Sequence, residues 1–519
     1  MKLLQTKKHL KITLFAIIVF GGILISINYF ANTILLDILN KNPDRIYQFE
    51  SKKIKLSLLK QSISITEVNV NKKEDTEDKS SVLQATIDKI TIQGLSIYAL
   101  LIEQRIVANK LFIQKPHLDI ISTKKEKRTA DNSKTINLFW QDLTKNILIK
   151  QIEINEGELQ IYRNDKKEKG FYTKNINLNL KNVRLNNQKS NNPLPFLYSD
   201  ISLNMGKTYA KINDLYQAEI SSFSSSNSAI SINDIKINPI LSREKFSKII
   251  KTEQDYTSCT IDRIELKNTN WKFYNDTVFV KAGNLLIHKL ETILYRNKYV
   301  RDNLSKKKLY SQVLRDLPFY INIDSFSVQE GALTYQELQK NKNKYGEINF
   351  KRINIKGTHL NNYNYKKDSI STNIKFKALL FGKSPITTNF SFKVSDVFDR
   401  YKMKGTLLNL NTADLNILTK PMFNIRTKGH IHKLDFLING SDYDASAITN
   451  MVYQDLKLIY GKDKGTHKLL NRIVNLVVKK NQTTKEAKNV QVYVKRNQKK
   501  SMYNQIIKCF VESLKKTLI

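Results

Sequence analysis

Residues 149–161 read IKQIEINEGELQI, and their pattern predicts the architecture of much of the chain. Apolar and polar residues alternate in this stretch, and the apolar ones are Ile149, Ile152, Ile154, Leu159 and Ile161. A period of two places the apolar side chains on one face of a β-strand. Gly157 interrupts the alternation, and glycine tolerates a positive φ. The pattern therefore predicts a strand, a tight bend at Gly157 and a second strand.

The same spacing of apolar residues recurs three more times. The other copies span residues 108–120, 261–273 and 323–335, and their bend positions are Pro116, Thr269 and Gly331. Proline fixes φ and therefore also suits a bend. The copies begin at irregular intervals, which argues against a solenoid of fixed period. We expect a mainly β protein with a long, curved sheet in which this strand–turn–strand unit recurs.

A long sheet with one apolar face has to cover that face with a second layer or with a ligand, because large exposed apolar patches mark binding surfaces. The sequence offers few long amphipathic helices to form such a layer. If a ligand covers the face instead, the sheet forms an apolar groove, and the residues alone leave both alternatives open. The candidate groove residues are Ile152, Ile154, Leu159, Ile264, Leu266, Trp271, Phe326, Val328 and Leu333.

The N-terminal segment 12–36 carries no Asp, Glu, Lys, Arg or His. A helix of about 20 apolar residues crosses the hydrocarbon core of a bilayer, so this segment is predicted to be a transmembrane signal anchor. Basic residues upstream should hold that end in the cytoplasm, and they are Lys2, Lys7, Lys8 and Lys11. The rest of the chain would then lie outside the cytoplasm.

A cleaved signal peptide is the alternative for this segment. Such a peptide has a shorter apolar core followed by a small-x-small cleavage site. The apolar run here is longer, and Tyr29, two residues before Ala31, is too large for that site. The sequence favours the uncleaved anchor.

Composition divides the chain into regions with different predicted roles. They are a cytoplasmic basic tail (1–11), the anchor (12–36), an N-terminal β region (46–121), a polar linker (122–135), the central β-groove (136–410), a C-terminal β region (411–500) and an amphipathic helix (501–519). The apolar side of that helix includes Tyr503, Ile507, Phe510 and Leu514. Its helical spacing suits either docking onto a membrane or partner, or capping of the last strands.

The formal net charge of +39 raises the possibility of nucleic-acid binding. The lysines, however, are spread along the whole chain, and no helix-turn-helix, zinc finger or RNA-binding signature accompanies them. We therefore expect no nucleic-acid partner. A basic surface outside the cytoplasm would instead favour anionic lipid headgroups.

The sequence contains no recognisable catalytic motif. P-loop, GxGxxG, HExxH, GxSxG and CxxC patterns are all absent from the printed sequence. His430 and His432 would point the same way from one strand, but no cysteine or second histidine pair completes a metal site. Cys259 and Cys509 are too few and too distant for a disulfide scaffold. We expect neither an enzyme nor a cofactor or metal.

Several phrases of the sequence resemble one protein family. They are YQFESKKIKLSLLKQSISITEVNV (47–70), the span from Ile237 to Gly357, TADLNIL (412–418), GHIHKLDFLINGSDYDASAITNMVYQDLKLIYG (429–461) and VYVKRNQKKSMYNQIIKCFVESLKKTL (492–518). In this order, after an N-terminal anchor, they resemble the AsmA-like proteins of the Bacteroidetes type, which are related to TamB. Each phrase alone is weak, and their order along most of the chain carries the resemblance.

The resemblance implies a curved β-sheet with an apolar interior, anchored in the inner membrane and projecting through the periplasm. It also implies a role in outer-membrane biogenesis, in which the larger relatives are thought to conduct phospholipid between membranes. Phospholipid, the inner membrane and outer-membrane or other envelope proteins would be the partners. A structural or regulatory envelope scaffold is the alternative function, and it predicts a sealed core instead of an accessible apolar face.

Overall fold

The computed structural model of the chain describes residues 47–57, 59–72, 82–103, 105–122, 147–163, 168–185, 196–274, 277–340, 345–460 and 485–518. Strands account for 66% of the structure and helices for 13%, which confirms the predicted mainly β fold. The predicted anchor at 12–36 lies outside the described residues, as does the predicted linker from residue 123 onward. Within the described ranges, no helix combines the length and apolar content that crossing a membrane requires.

The chain contains many strands, from two to 21 residues long. The first twelve are β1 (Tyr47–Ser57), β2 (Ser62–Lys72), β3 (Val82–Gln93), β4 (Ile106–Ser122), β5 (Ile147–Arg163), β6 (Glu168–Lys181), β7 (Arg184–Leu185), β8 (Phe196–Leu197), β9 (Asp200–Met205), β10 (Thr208–Lys211), β11 (Tyr216–Ile220) and β12 (Ser222–Ser225). The others are β13 (Ala229–Pro239), β14 (Tyr256–Lys267), β15 (Asn270–Tyr274), β16 (Thr277–Asn297), β17 (Tyr320–Leu338), β18 (Tyr345–Asn361), β19 (Thr372–Leu380), β20 (Ser384–Phe392), β21 (Tyr401–Asn411), β22 (Ile425–Gly440), β23 (Asp444–Tyr460) and β24 (Lys485–Lys495).

The described helices are short except for the last one. They are α1 (Ile97–Leu101), α2 (Arg243–Ile249), α3 (Tyr310–Arg315), α4 (Asn416–Phe423) and α5 (Met502–Leu518), with 3₁₀ turns at Tyr365–Lys367 and Thr412–Leu415. The backbone groups of α1 and α2 are capped by the side chains of Ser96 and Ser242 at their N-termini.

The chain divides into two compact units. The first unit contains the described residues up to Lys211, together with Ser221–Asn227 and Phe273–Asp276, and the second contains Ile212–Ile220, Ser228–Lys272 and Thr277–Ile519. In the first unit, β1, β2, β3 and β4 pair in antiparallel order. β5 then pairs parallel to β4, and β6 pairs antiparallel with β5, β9 and β10.

The second unit repeats this plan on a larger scale. Its strands β11, β13, β14 and β16 pair in antiparallel order. β17 then pairs parallel to β16. From β17 to β24, each strand pairs antiparallel with the next one in the sequence. Among the pairings described here, each unit therefore has a parallel pair among antiparallel neighbours.

The parallel pairs explain the recurring sequence pattern. β4 and β5 hold the copies 108–120 and 149–161 side by side, so that Leu111 faces Ile152 and Ile113 faces Ile154. In the second unit, β17 holds the copy 323–335, and its partner β16 carries the same spacing over residues 282–294. The two copies of each pair begin the same number of residues apart, at 108 and 149 in the first unit and at 282 and 323 in the second. The pattern is therefore more regular than the sequence alone indicated.

The prediction of a strand, a tight bend and a second strand is wrong for the copies at 108, 149 and 323. β4, β5 and β17 each continue through the predicted bend as one long strand. The residue before the predicted bend has a left-handed backbone instead, with φ of 47° at Lys115, 53° at Glu156 and 56° at Glu330. Such a bulge kinks a strand without reversing it and keeps the apolar residues on one face. Only the copy at 261 divides into two strands, at Asn268 and Thr269.

Buried apolar side chains form separate clusters in the two units. The cluster of the first unit joins β1–β4 to α1, whose Leu100 is fully buried. The two clusters of the second unit join β19–β24 to α5 and to Leu309, and they include Ile438 and Cys509, both fully buried. A small fourth cluster surrounds Ile152 and Leu180 in the first unit.

Candidate functional site

Two rows of cross-strand neighbours cross the second unit on one face of its sheet. The first row, from β13 to β24, is Ile230, Leu266, Leu285, Phe326, Gly357, Ile374, Phe390, Met403, Ile438, Ala447 and Val492. The second row is Ile232, Ile264, Ile287, Val328, Ile355, Phe376, Thr388, Gly405, Phe436, Thr449 and Val490. Directly paired residues share a face of the sheet, so the two rows form a continuous apolar face.

The residues between the two rows point to the opposite face, because side chains alternate along a strand. These residues are mainly polar or charged, as at Glu265, Ser327, Lys356, Lys375 and Lys404. The second unit therefore has one apolar and one polar face over much of its sheet, as the alternating sequence predicted.

The first unit carries the same arrangement over fewer strands. Its first row is Ile54, Ile65, Ile90, Ile113, Ile154, Leu178 and Leu203. Its second row is Leu56, Ile63, Ile92, Leu111, Ile152, Leu180 and Ile201. Many of these side chains belong to the buried cluster with α1 or pack against it. In this unit the apolar face is therefore largely internal.

Helix α5 covers the apolar face at the C-terminal end of the second unit. Ile506 and Cys509 on its inner side are 6% and 0% exposed, and they belong to the same cluster as Ile438. The ring of Phe510 meets the ring of Phe436 edge to face, with centroids 5.1 Å apart. Here the helix takes the place of a second layer.

The connection from β16 to β17 completes this cover. Residue Leu309, just before α3, is 3% exposed and belongs to the cluster beneath α5. Tyr310 packs edge to face on Phe390, and its hydroxyl lies 2.6 Å from that of Tyr503 on α5. We call α3, α5 and the segment 298–309 the C-terminal cap.

Buried acids hold the cap against the turns of the sheet. Asp399 accepts hydrogen bonds from three residues of α3, namely Ser311 at 2.7 Å, Gln312 at 2.6 Å and Arg315 at 2.6 Å. Asp442 accepts hydrogen bonds from Lys306 and Gln498. Both carboxylates are almost fully buried, and the hydrogen bonds from these partners offset the free-energy cost of burying their charges.

The apolar face on β13–β18 differs from the part beneath the cap. We define the central apolar face as Ile230, Ile232, Ile264, Leu266, Leu285, Ile287, Phe326, Val328 and Ile355. All are half-buried except Val328, which is 6% exposed. Among the described residues, none of the four buried apolar clusters contains any of them. This face is therefore apolar without belonging to a packed core.

A polar cluster lies at the carboxyl ends of β16 and β17. Arg296 donates two hydrogen bonds to Asp255, at 2.7 and 2.8 Å. Burial alone would lower the pKa of Arg296, but the hydrogen bonds to Asp255 together with the charge interactions with Tyr335, Asp255 and Glu253 raise it. Burial also raises the pKa of Tyr335, whose hydroxyl donates to Glu337, so the phenol stays protonated. This satisfied cluster supplies no free acid or base.

The predicted groove residues fall into three groups. Ile264, Leu266, Phe326 and Val328 come together on the central apolar face. Ile152, Ile154 and Leu159 lie on β5 in the first unit, where Ile152 is 8% exposed. Trp271 on β15 lies outside the two rows, and Leu333 pairs instead with Thr292 and Phe350.

The predicted docking residues divide between two sides of α5. Tyr503 and Ile507 are 57% and 55% exposed. Phe510 packs on Phe436, and Leu514 packs against the cluster that contains Leu407. The helix therefore caps the strands, and only its outer side remains for docking.

Sequence reasoning missed Leu285 and Ile287 on β16, although their copy has the same spacing as the others. Two of its positions hid the pattern, because Thr292 stands at an otherwise apolar site and Leu290 occupies the bend. The histidines singled out earlier, His430 and His432, lie on β22 with ring centroids 4.6 Å apart. Across the described ranges, no group of three His, Cys, Asp or Glu residues could hold a metal ion.

Sequence comparison with known proteins does not assign this chain to a family. The chain matches no protein-family model, and a search of curated proteins finds no similar sequence.

Proposed function

We propose that this chain is an AsmA-like envelope protein that binds phospholipid acyl chains along an apolar β-groove. The N-terminal segment 12–36 would anchor it as a single-pass protein in the inner membrane, with most of the chain in the periplasm. The proposed role is to place or conduct phospholipid in outer-membrane biogenesis. The order of family-like phrases along the sequence supports the family, and the apolar face supports the ligand.

The central apolar face is the observation that carries the proposal. All of its members except the buried Val328 are half-buried, and all lie outside the packed clusters of the described chain, so an acyl chain could replace water over the half-buried ones. Acyl burial gains about 0.8 kcal/mol per CH₂ group. The rows run perpendicular to the strands, which lie about 4.8 Å apart, so the five strands β13, β14, β16, β17 and β18 span roughly 19 Å. A ladder of this width suits extended acyl chains, while the headgroup stays in water.

Movement along such a face would be passive. Neighbouring apolar positions repeat with the strand spacing, so a bound chain meets similar surroundings at each step. The proposal includes no catalytic step, and any direction of net movement would come from the lipid supply at one end.

Photo-crosslinking tests the proposal directly. Benzoylphenylalanine in place of Phe326 should capture phospholipid in membranes of intact cells, and mass spectrometry would identify the adduct. The same probe at Ser327 is the matched control, because this neighbouring residue points to the polar face. Absence of lipid adducts at 326, or equal adducts at both positions, would refute a lipid-binding face.

A structural or regulatory scaffold is the second candidate function. It is favoured by the apolar regions that the protein covers itself, in the cluster with α1 and beneath the C-terminal cap. A scaffold would show protein adducts at exposed polar-face positions such as Lys356 and no lipid at Phe326. The same crosslinking experiment therefore separates the two functions.

A further inference from the structure

The outer surface of the C-terminal cap carries a second apolar feature, although one of its members, Tyr310, also packs on Phe390 of the sheet. On α5, Tyr503 and Ile507 are 57% and 55% exposed, although the opposite side of the helix is buried. On α3, Tyr310 and Val313 are 43% and 44% exposed. We call these four residues the outer cap patch.

The four side chains form one surface. The Tyr310 and Tyr503 hydroxyls lie 2.6 Å apart and join the two helices. Val313 follows Tyr310 by one helical turn, and Ile507 follows Tyr503 by one turn, so each pair shares a helix face. The patch therefore extends along both helices from the tyrosine pair.

Lysines lie close in sequence to the patch residues on both helices. They are Lys306, Lys307 and Lys308 before α3, Lys499 and Lys500 before α5, and Lys508 within it. Some have acidic partners, since Lys308 pairs with Asp316 at 2.6 Å and Lys500 with Asp302 at 3.5 Å. Basic residues still outnumber acidic ones here, so the patch lies in a positively charged surrounding.

We propose that the outer cap patch docks onto the surface of an anionic phospholipid bilayer. Tyrosine suits this location because its ring is apolar and its hydroxyl is wet, and lysine is attracted to anionic headgroups. Four exposed side chains are few for a stable protein interface but sufficient for peripheral membrane contact when cations assist. This inference rests on the proposed function, and it gives the lipid-binding sheet a membrane contact at its C-terminal cap.

Vesicle tethering tests the inference with the full chain. The protein, held in nanodiscs of phosphatidylcholine, is mixed with sedimentable vesicles of phosphatidylcholine alone or with added phosphatidylglycerol. We expect it to pellet with the anionic vesicles and to be released by salt, because headgroup attraction is screened. The double variant Tyr503→Ser, Ile507→Ser should lower the vesicle partition by roughly tenfold.

Two further variants keep the result interpretable. Lys499→Gln with Lys508→Gln should also weaken tethering while leaving the apolar residues in place. Ile417→Ser is the matched control, because Ile417 is similarly exposed, at 49%, but lies outside the cap. Ile417 is on α4, before β22, whereas the cap contacts the turn after β22 through Lys306 and Asp442. Tethering that is absent, or that survives both double variants unchanged, overturns the inference.

The outcome is independent of the groove test. If the parent protein tethers vesicles, loss of tethering in the two double variants with lipid adducts intact at Phe326 would match the inference and leave lipid binding by the sheet in place. Tethering without any lipid adduct would keep the docking surface and refute the proposed function.

Discussion

The ring of Phe326 lies over Gly357, its direct cross-strand partner, so closely that a Cβ at position 357 would overlap the ring. Two more pairs on the second unit repeat this arrangement, Gly405 beneath Phe436 and Gly440 beneath Tyr401. In each pair the tip of the aromatic ring occupies the space that a side chain at the glycine would need. On the central apolar face, Phe326 therefore fills the space above Gly357 on the neighbouring strand.

Replacing Gly357 with alanine should therefore destabilise the second unit. The added methyl group must displace the Phe326 ring, and overpacking of this kind costs about 1–3 kcal/mol. We expect a lower midpoint of urea unfolding, measured by tyrosine and tryptophan fluorescence in detergent solution.

The matched control is Gly283→Ala on β16, which β17 separates from β18. A Cβ there would come no closer than 3.2 Å to the side chain of Asn268, so a shift of a few tenths of an ångström would relieve the contact. We expect a much smaller change for this variant. Equal midpoints for both variants would contradict the close packing of Phe326 on Gly357.

Adjacent leucines on β16 test which face carries lipid. Leu285 belongs to the central apolar face, whereas Leu286 points to the opposite side between the two rows. Leu285→Asp should reduce phospholipid that co-purifies with the protein, because a carboxylate is costly to place against acyl chains. Leu286→Asp should retain it, as measured by mass spectrometry of extracted lipid.

Both leucines are half-buried, so the two variants carry a similar structural burden. Their circular dichroism spectra should match that of the parent protein. If both variants lose lipid equally, the loss reflects general damage and the assignment of the lipid-binding face is wrong.

Asp399 should control how firmly α3 closes over the sheet. Its carboxylate accepts bonds from Ser311, Gln312 and Arg315, all on that helix. The residue has a φ of 54°, which asparagine tolerates, so Asp399→Asn removes the charge without adding backbone strain. Weakening a hydrogen bond to a charged group costs about 2 kcal/mol. We expect faster amide hydrogen exchange across residues 309–316.

Asp316→Asn provides the comparison for this prediction. Asp316 pairs with Lys308 at 2.6 Å, but its side chain is 51% exposed, and exposed ion pairs contribute at most about 1 kcal/mol. Exchange in the cap should therefore hardly change. A similar acceleration in both variants would show that Asp399 has no special part in closure.

The alternation of apolar and polar residues was enough to predict the strands and the one-sided apolar face. It also identified Ile264, Leu266, Phe326 and Val328, which do lie together. The sequence alone did not indicate that β4 and β5, or β16 and β17, pair in parallel, because pairing direction depends on the path of the connecting segment.

The bends were mispredicted for a local physical reason. A Gly or Pro that breaks an alternating pattern is typical of a turn, but the same break arises where one residue adopts a left-handed backbone inside a continuous strand. The residues that do so, Lys115, Glu156 and Glu330, have no sequence signal of their own. The division of α5 into an inner and an outer side likewise depends on how the helix packs on the sheet, as in the contact between Phe510 and Phe436.

Glu330 offers a test of the bulge itself. A left-handed backbone is costly for a residue with a branched Cβ, so Glu330→Val should destabilise the second unit by about 1–2 kcal/mol. Gln329→Val is the control, because this neighbouring residue is also exposed and is not among those with positive φ. In an extended strand valine is well tolerated. Chemical denaturation would measure both, and a control variant as unstable as Glu330→Val would count against the bulge.

Cys509 can report opening of the C-terminal cap. The thiol is fully buried on the inner side of α5, and burial raises its pKa to about 11 from the ordinary value of 9.0. Since the thiolate is the reactive form, alkylation in a Cys259→Ser background should be slow at neutral pH. Asp399→Asn should speed this labelling, and Asp316→Asn should not.

The same shift predicts a loss of stability in alkaline solution. Between pH 9.0 and about 11 the unfolded chain releases the Cys509 proton that the folded chain keeps, so the free energy of unfolding falls as pH rises. Below pH 9.0 the contribution is fully present. Cys509→Ala should flatten this part of the pH profile of the unfolding midpoint. An unchanged profile in that variant, or rapid alkylation of the parent protein at neutral pH, would contradict burial of Cys509 beneath the cap.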